Sequence, residues 1–415
     1  MPDRLTRRRL LATLGATTSA VAGCTSTSSQ QSALSTENTD ELFVSPEGSD
    51  FNPGTSTAPF KHIQAALEFA GPGTTVRLAP GEYRESVLTQ TDGEPDAPIK
   101  ITGPPEAVIR PPPGSHDCMY IKHHHTHVTG ITLDGLTEPE NRLEDHEAYA
   151  DNIVWITSVD RALDGVEYLR GVVFEPSRIG NTAKAMVQTA RVRDVSIGNF
   201  ELIGPAGVRY DDRVENTEVG HVGEIVYVGS PETNRGVFKY GYTTVDRTQN
   251  VRIHHIDNSE GYRHAEFADI KLGCTDITVE YCTSRNSGHS SEKAPWPMVN
   301  LGGNDCTIRW NDFASGPTGF QVASWVPTGD IDGTEWAKNN AIYGNRLADF
   351  SDQVFRFPDS GDSVSLGSEA QRILCGNTIE GPNAADYDYA SGACSADVPT
   401  TKTIGHLGGE SPYSN

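Results

Sequence analysis

Lysine is scarce in this 415-residue chain: nine of its 33 basic residues are Lys, set against 56 acidic residues and a net charge of −23. Phosphate backbones need a basic footprint, so this balance argues against nucleic acid as a partner. Long apolar runs are missing too. The one run near the start, after Arg9, is short and rich in Thr, Ser and Gly, unsuited to crossing ~30 Å of hydrocarbon as a stable helix. Amphipathic helical periodicity is nearly absent after residue 70, which sets aside helical bundles. No two cysteines have the C-x-x-C spacing of a zinc site.

What is present begins with targeting. Thr6-Arg7-Arg8-Arg9-Leu10-Leu11 places twin arginines ahead of the apolar run, which ends at Val21-Ala22-Gly23-Cys24. The first phrase resembles the export signal of the route that carries folded proteins, and the second resembles a lipobox whose cysteine is lipidated. An ordinary secretory signal with a chance cysteine is the alternative. Residues 1–23 are therefore expected to be removed, leaving Cys24 as a lipid anchor on the outer face of the membrane. Residues 24–41 are dominated by Ser, Thr, Gln and Asn, cannot bury a core, and read as a flexible tether. Removing the first 23 residues leaves a net charge of −26. An acidic, Lys-poor surface resembles that of proteins from high-salt archaea, where self-repulsion is screened.

Internal repetition sets the fold. Tyr120-Ile121-Lys122 through Val128-Thr129-Gly130-Ile131-Thr132-Leu133-Asp134-Gly135 matches Trp155-Ile156-Thr157 through Leu163-Asp164-Gly165 at an offset of 35. A second strand type recurs at Val251-Arg252-Ile253, Ile277-Thr278-Val279, Thr307-Ile308-Arg309, Ala341-Ile342-Tyr343 and Ile373-Leu374-Cys375, at spacings of 26 to 34 residues. These are coil lengths of a solenoid whose strands alternate apolar-in and polar-out. Asn311, Asn345 and Asn377, at strand ends, suit a turn position that tolerates left-handed backbone and a side-chain ladder. A two-layer sandwich would not keep this period. The expected fold is all-β, a right-handed single-stranded parallel β-helix over 42–398 with a short N-terminal capping helix and a disordered tail at 399–415.

The entry to this domain carries a resemblance. Val44-Ser45-Pro46-Glu47-Gly48, Pro59-Phe60-Lys61-His62-Ile63-Gln64-Ala65-Ala66 and Gly71-Pro72-Gly73-Thr74 through Gly81-Glu82-Tyr83 resemble the N-terminal cap of pectate-lyase-like right-handed β-helix proteins. The resemblance implies that Ile63, Ala66 and Leu67 plug the end of the solenoid and block edge pairing. Gly223-Glu224-Ile225-Val226-Tyr227-Val228 and Ala265-Glu266-Phe267-Ala268-Asp269-Ile270-Lys271 resemble consecutive coils of exported β-helix proteins. With the cap and the last coils, the likeness covers most of residues 42 to 394. It speaks for the fold more than for the chemistry.

Aligning the inward residues of these phrases puts Tyr227, Asp269, Asn300, Gln321 and Arg356 in one outward column, with Lys271 a step along from Asp269. At ~4.8 Å per coil, five coils draw a polar stripe of roughly 20 Å. Such a stripe suits an extended glycan, with Tyr227 stacking on a sugar and Asn300, Gln321 and Arg356 reading hydroxyls or carboxylates. It is also what any solvated solenoid face looks like. Lys271 and Asp269 are the candidate catalytic pair, since β-elimination needs a base at C5 and a cation beside the uronate carboxylate. Pectate lyases resembling this fold use Lys or Arg as base and acidic ligands for Ca²⁺, so Glu266 and Asp269 are candidate Ca²⁺ ligands. An ordinary surface ion pair is the plain reading of Asp269 and Lys271. His123, His125 and His127 would share one face of a strand and bind a transition metal, unless a corner breaks the alternation. His289, near Lys293 and Trp296, reads as a groove-edge residue. Cys375 with Cys394 is the one expected disulfide, and Cys118, Cys274, Cys282 and Cys306 read as buried thiols.

Two functions follow. One is a monomeric cell-surface enzyme acting on an acidic polysaccharide, by β-elimination or, if two carboxyl groups flank a sugar, by hydrolysis. The other is a non-catalytic module that binds glycan or stabilises the envelope, with the membrane touched only through the anchor.

Overall fold

The computed structural model describes residues 40–138, 145–164, 167–210, 223–230, 245–288, 296–324, 333–359, 364–382 and 384–399. Cys24, the tether up to residue 39, His289, Lys293 and the tail from residue 400 on lie outside the described residues. Among the described residues 26 strands form one continuous sheet wound as a right-handed parallel β-helix. Each coil visits three faces in turn.

The first face stacks Glu41–Val44, Thr75–Leu78, Ile99–Thr102 and Thr126–Thr129, and later Gln249–Asn258, Thr275–Glu280, Thr307–Arg309 and Ala341–Tyr343. The second stacks Gly81–Tyr83, Ala107–Ile109, Thr132–Asp134 and Arg178–Gly180. The third runs from Val87–Leu88 through Asp117–Ile121, Asn152–Thr157, Val187–Ala190, Val226–Val228, Ala268–Ile270 and Pro297–Leu301. Strand registers keep like residues aligned. On the first face Phe174, Ile197, Ile253, Val279, Ile308 and Ile342 sit one above the other and are fully buried. Each such side chain contributes about 1.5–3 kcal/mol of apolar burial, and repeating the column in every coil builds the core.

The ends are closed differently. A short helix, Ile63–Leu67, covers the first coil with Ile63, Ala66 and Leu67 buried. Its free N–H groups find a distant acceptor: Ile63 and Gln64 donate to the Glu85 carboxylate at 2.7 and 3.0 Å. At the other end the helix Asp388–Ser391 buries Ala390, and Cys375 is bonded to Cys394.

Two details differ from the sequence reading. The offset of 35 holds on the third face, where Tyr120 pairs with Trp155, but fails beyond it. Val128 pairs with Phe174, because residues 159–164 form a 3-10 turn and the coil is longer. The Asn ladder also works another way. Asn345 Nδ2 donates to Asn377 Oδ1, and Asn311 Nδ2 to Asn345 Oδ1, at 2.9 and 3.0 Å. Yet the left-handed residues are the ones before them: Trp310, Gly344 and Gly376 have φ of 59°, 66° and 63°. The preceding residue turns the corner, and the Asn then points inward to take up backbone N–H groups.

Candidate functional site

Strand register on the third face sets Tyr227, Asp269, Asn300, Gln321 and Arg356 opposite one another on five successive coils. Tyr120, Trp155 and Gln188 extend the same column toward the N-terminus. The side chains leave the coil outward because their neighbours Val226, Val228, Ala268 and Ile270 fill the core.

The middle of the column is not the open stripe that alternation suggested. Lys271 and Asp269 keep only 7 % and 3 % of their side-chain surface, and Tyr227 and Asn300 are buried as well. Lys271 Nζ lies 2.5 Å from Asp269 Oδ2, so the pair is a buried one and not a surface ion pair. Asn300 Nδ2 donates to Asp269 Oδ1 at 2.9 Å, and Gln321 Nε2 donates to Asn300 Oδ1 at 3.3 Å. The ammonium also sits 4.7 Å from the centre of the Tyr227 ring, a cation–π contact that occupies the face expected to stack on a sugar. Gly229, at φ 91°, makes room beside it: a Cβ there would stand 2.6 Å from Cys274 Sγ and 3.3 Å from Lys271 Cβ.

Two further acids belong to the cluster. Glu224 and Glu266 immediately precede the strands that carry Tyr227 and Asp269, and Ile225 N–H donates to Glu266 O at 3.0 Å, so they are one coil apart. Their exposures are 0 % and 2 %. Glu224 Oε2 accepts from the Gly223 N–H at 2.9 Å. Glu224 Oε1 and Glu266 Oε2 have no hydrogen-bond partner among the described residues. Burial, and then the facing Asp269, push Glu224 up to about 7. The same causes, with Glu224 added, hold Glu266 well above the ordinary carboxyl range. Burial opposes the charge on Lys271, but Asp269, Glu224 and Glu266 outweigh it and raise its pKa. Lys271 is thus held as a cation, which disfavours the role of free base.

The Ca²⁺ expectation does not fit these residues. Asp269 already gives one oxygen to Lys271 and the other to Asn300. Among the described residues no three His, Cys, Asp or Glu side chains are placed to hold a metal. Nor do the histidines converge. His125 takes φ 48° at a corner, His123 Nδ1 bonds Thr89 Oγ1 at 2.8 Å, and His124 Nδ1 accepts from the Arg170 N–H. Burial lowers His123 and His127 to about 4, so both are neutral. Tyr120 and Trp155 stack face to face, 5.2 Å apart and 8° from parallel, which turns ring edges outward. Cys118, Cys274, Cys282 and Cys306 are buried thiols not joined in a disulfide.

The first face carries a second polar ladder. Glu280 accepts from Arg252 Nε and Arg309 Nε, both at 2.7 Å, and Arg309 covers Trp310 at 4.0 Å. Beside it Ser196 Oγ donates to Glu175 at 2.8 Å and contacts His254 Nε2 at 2.8 Å. This has the composition of a nucleophilic triad. Ser196 and His254 are fully buried, however, and the hydroxyl is spent on the carboxylate.

Residues 46–92 match a family model. It is described as "Protein of unknown function (DUF1565)" and covers the capping segment. A curated relative, the uncharacterized protein YwoF of Bacillus subtilis (strain 168), is 32% identical over 143 residues, 32% of this chain and 29% of its own length. Among solved structures, an alginate lyase from Paenibacillus sp. str. FPU-7 superposes with a TM-score of 0.51 at 20% identity, over 80% of this chain and 96% of that one. PfbA, a surface adhesin of Streptococcus pneumoniae, gives 0.51 at 14% identity over 76% and 73%. At such identities the likeness shows the fold, which enzyme and adhesin share.

Proposed function

We propose that this protein is a cell-surface lipoprotein, anchored through Cys24, that engages an acidic polysaccharide along the third face of its β-helix. The observation that carries this reading is the buried cluster of Glu224, Glu266, Asp269 and Lys271 in the middle of an outward column. A fully solvated wall has no reason to bury three acids and an ammonium together, since each buried charge opposes folding unless paired. Lys271 is the anchor for a uronate carboxylate, and Arg356, half-buried at the end of the column, reads a second one. Neutralising that carboxylate acidifies the C5 proton, the condition for β-elimination. The alginate lyase fold match is compatible with this chemistry, and the adhesin match with binding alone.

The test is the ultraviolet absorbance of unsaturated uronate, followed with alginate and with pectate in high salt. A rise with the native chain that is lost in Lys271→Ala supports a lyase with Lys271 in its site. Retained binding with no rise on either polymer supports the second reading, a non-catalytic glycan-binding module, which the low exposure of the cluster favours.

A further inference from the structure

We propose that Glu224 and Glu266 form a proton-sharing pair that takes up a proton when an anionic sugar binds beside Lys271, so that glycan engagement is switched by pH. This rests on the glycan reading of the same site and adds its regulation.

The geometry makes the case. Glu224 and Glu266 stand on adjacent coils, whose strands are ~4.8 Å apart, and both lie within electrostatic reach of Asp269 and Lys271. Both side chains are at least nine-tenths buried. Among the described residues each has one oxygen without a hydrogen-bond donor, Glu224 Oε1 and Glu266 Oε2, whereas both oxygens of Asp269 are engaged. Two ionised carboxylates one coil apart in a dry site repel strongly, and a shared proton relieves the repulsion. Among the described residues the charged groups acting on the pair, besides each other, are Asp269 and Lys271. His264, on the same stretch as Glu266, bonds Ser284 through Nε2. Among the described residues Lys271 is the one cation acting on the pair, and Asp269 lies against it.

A uronate entering against Lys271 therefore adds a negative charge beside three acids and, among the described residues, one cation. An ionised Glu224 or Glu266 would oppose it, while a protonated one would donate a hydrogen bond from its free oxygen. Binding raises the carboxyl pKa further, so protons are taken up from solvent. By linkage, affinity falls as pH rises through about 7, by at most about tenfold per pH unit for one proton.

The experiment is calorimetric titration of the mature chain with oligoalginate in two buffers of different ionisation enthalpy at constant high salt, on either side of about pH 7. The expected result is a buffer-dependent heat equal to uptake of up to about one proton per site, with Glu224→Gln and Glu266→Gln each reducing the uptake and flattening the pH dependence. Circular dichroism checks that each variant is folded. If Glu224→Gln does not fold, Glu266→Gln carries the test. Binding with identical heats in both buffers, or uptake unchanged in both variants, overturns the proton-sharing pair and leaves the glycan reading standing. Absence of binding to oligoalginate, oligogalacturonate and a neutral oligosaccharide overturns the glycan reading, and the proposal with it.

Discussion

The outward surfaces of the first and third faces are made of the same ingredients, acids and bases one coil apart, but their hydrogen bonding is finished differently. On the first face Glu280 has both oxygens filled by Arg252 and Arg309, and Glu175 is filled by Ser196 and Asn199. Burial works against both carboxyls, and the partners overcome it: Glu280 ends below its ordinary value and Glu175 at about 2. On the third face Glu224 and Glu266 each keep an oxygen without a donor among the described residues and move the opposite way. Saturated pairing marks a structural ladder, whereas incomplete pairing at still deeper burial marks groups kept for another purpose.

The strongest way to break this comparison is Glu280→Ala. Two guanidinium groups lose their shared carboxylate, and breaking a buried pair typically costs 3–5 kcal/mol. Arg252 and Arg309 keep 19 % and 29 % of their side-chain surface, so the expected loss is at the low end, about 3 kcal/mol, read by denaturant unfolding. Oligoalginate binding should persist in the folded variant. Loss of binding without loss of stability would mean that the first face, too, is functional.

The next effect is a divergence with pH. Glu175 is depressed from 4.5 to about 2 in the folded chain, so its stabilisation is present above about 4.5 and disappears as pH falls through about 2. After allowance for partial exposure it amounts to about 2 kcal/mol. Glu224 is raised from 4.5 to about 7, so its contribution is present below about 4.5 and is lost as pH rises through about 7. Unfolding free energy measured across this range should therefore lose its acid limb in Glu175→Gln and its neutral limb in Glu224→Gln. If the two variants change the same limb, the contrast between the faces is wrong.

Which of these features the sequence disclosed follows from their periodicity. The column from Tyr227 to Arg356 was legible because apolar residues flank each member two by two, and a register error of one residue would turn the core outward. The cap was legible from its turn residues and the apolar side of a five-residue helix. The exposure of the column was not, since alternation tells inward from outward and says nothing of what lies above an outward side chain. Glu266 reads from the sequence as a Ca²⁺ ligand and Glu224 as part of a strand phrase with no role of its own. They stand ahead of the strand proper, where the chain bends and both Ile225 and Val226 enter the core, so parity misassigns them. The Arg252–Glu280–Arg309 ladder was equally hidden, because its members lie 28 and 29 residues apart, and the spacing along this run of strands varies from 26 to 34 residues, which prevents pairing by counting. An acid immediately before an aromatic corner, as Glu280 before Tyr281, the ring that packs on Trp310, is the kind of local signal that was available.

The smallest effect concerns the relay that fixes Asp269. Gln321 donates to Asn300 and Asn300 donates to Asp269, so the carboxylate is oriented from the side opposite Lys271. Asn300→Ala removes one charge-assisted hydrogen bond in a buried setting, worth about 1–2 kcal/mol. The Asp269–Lys271 contact would survive, because Coulomb attraction does not require the amide. With Asp269 less firmly held, the ammonium is freer to turn toward a ligand carboxylate, so oligoalginate affinity should change by no more than a few-fold while stability drops. A large fall in affinity with unchanged stability would instead place Asn300 against the sugar itself, and would shift the centre of the site one coil toward the C-terminus.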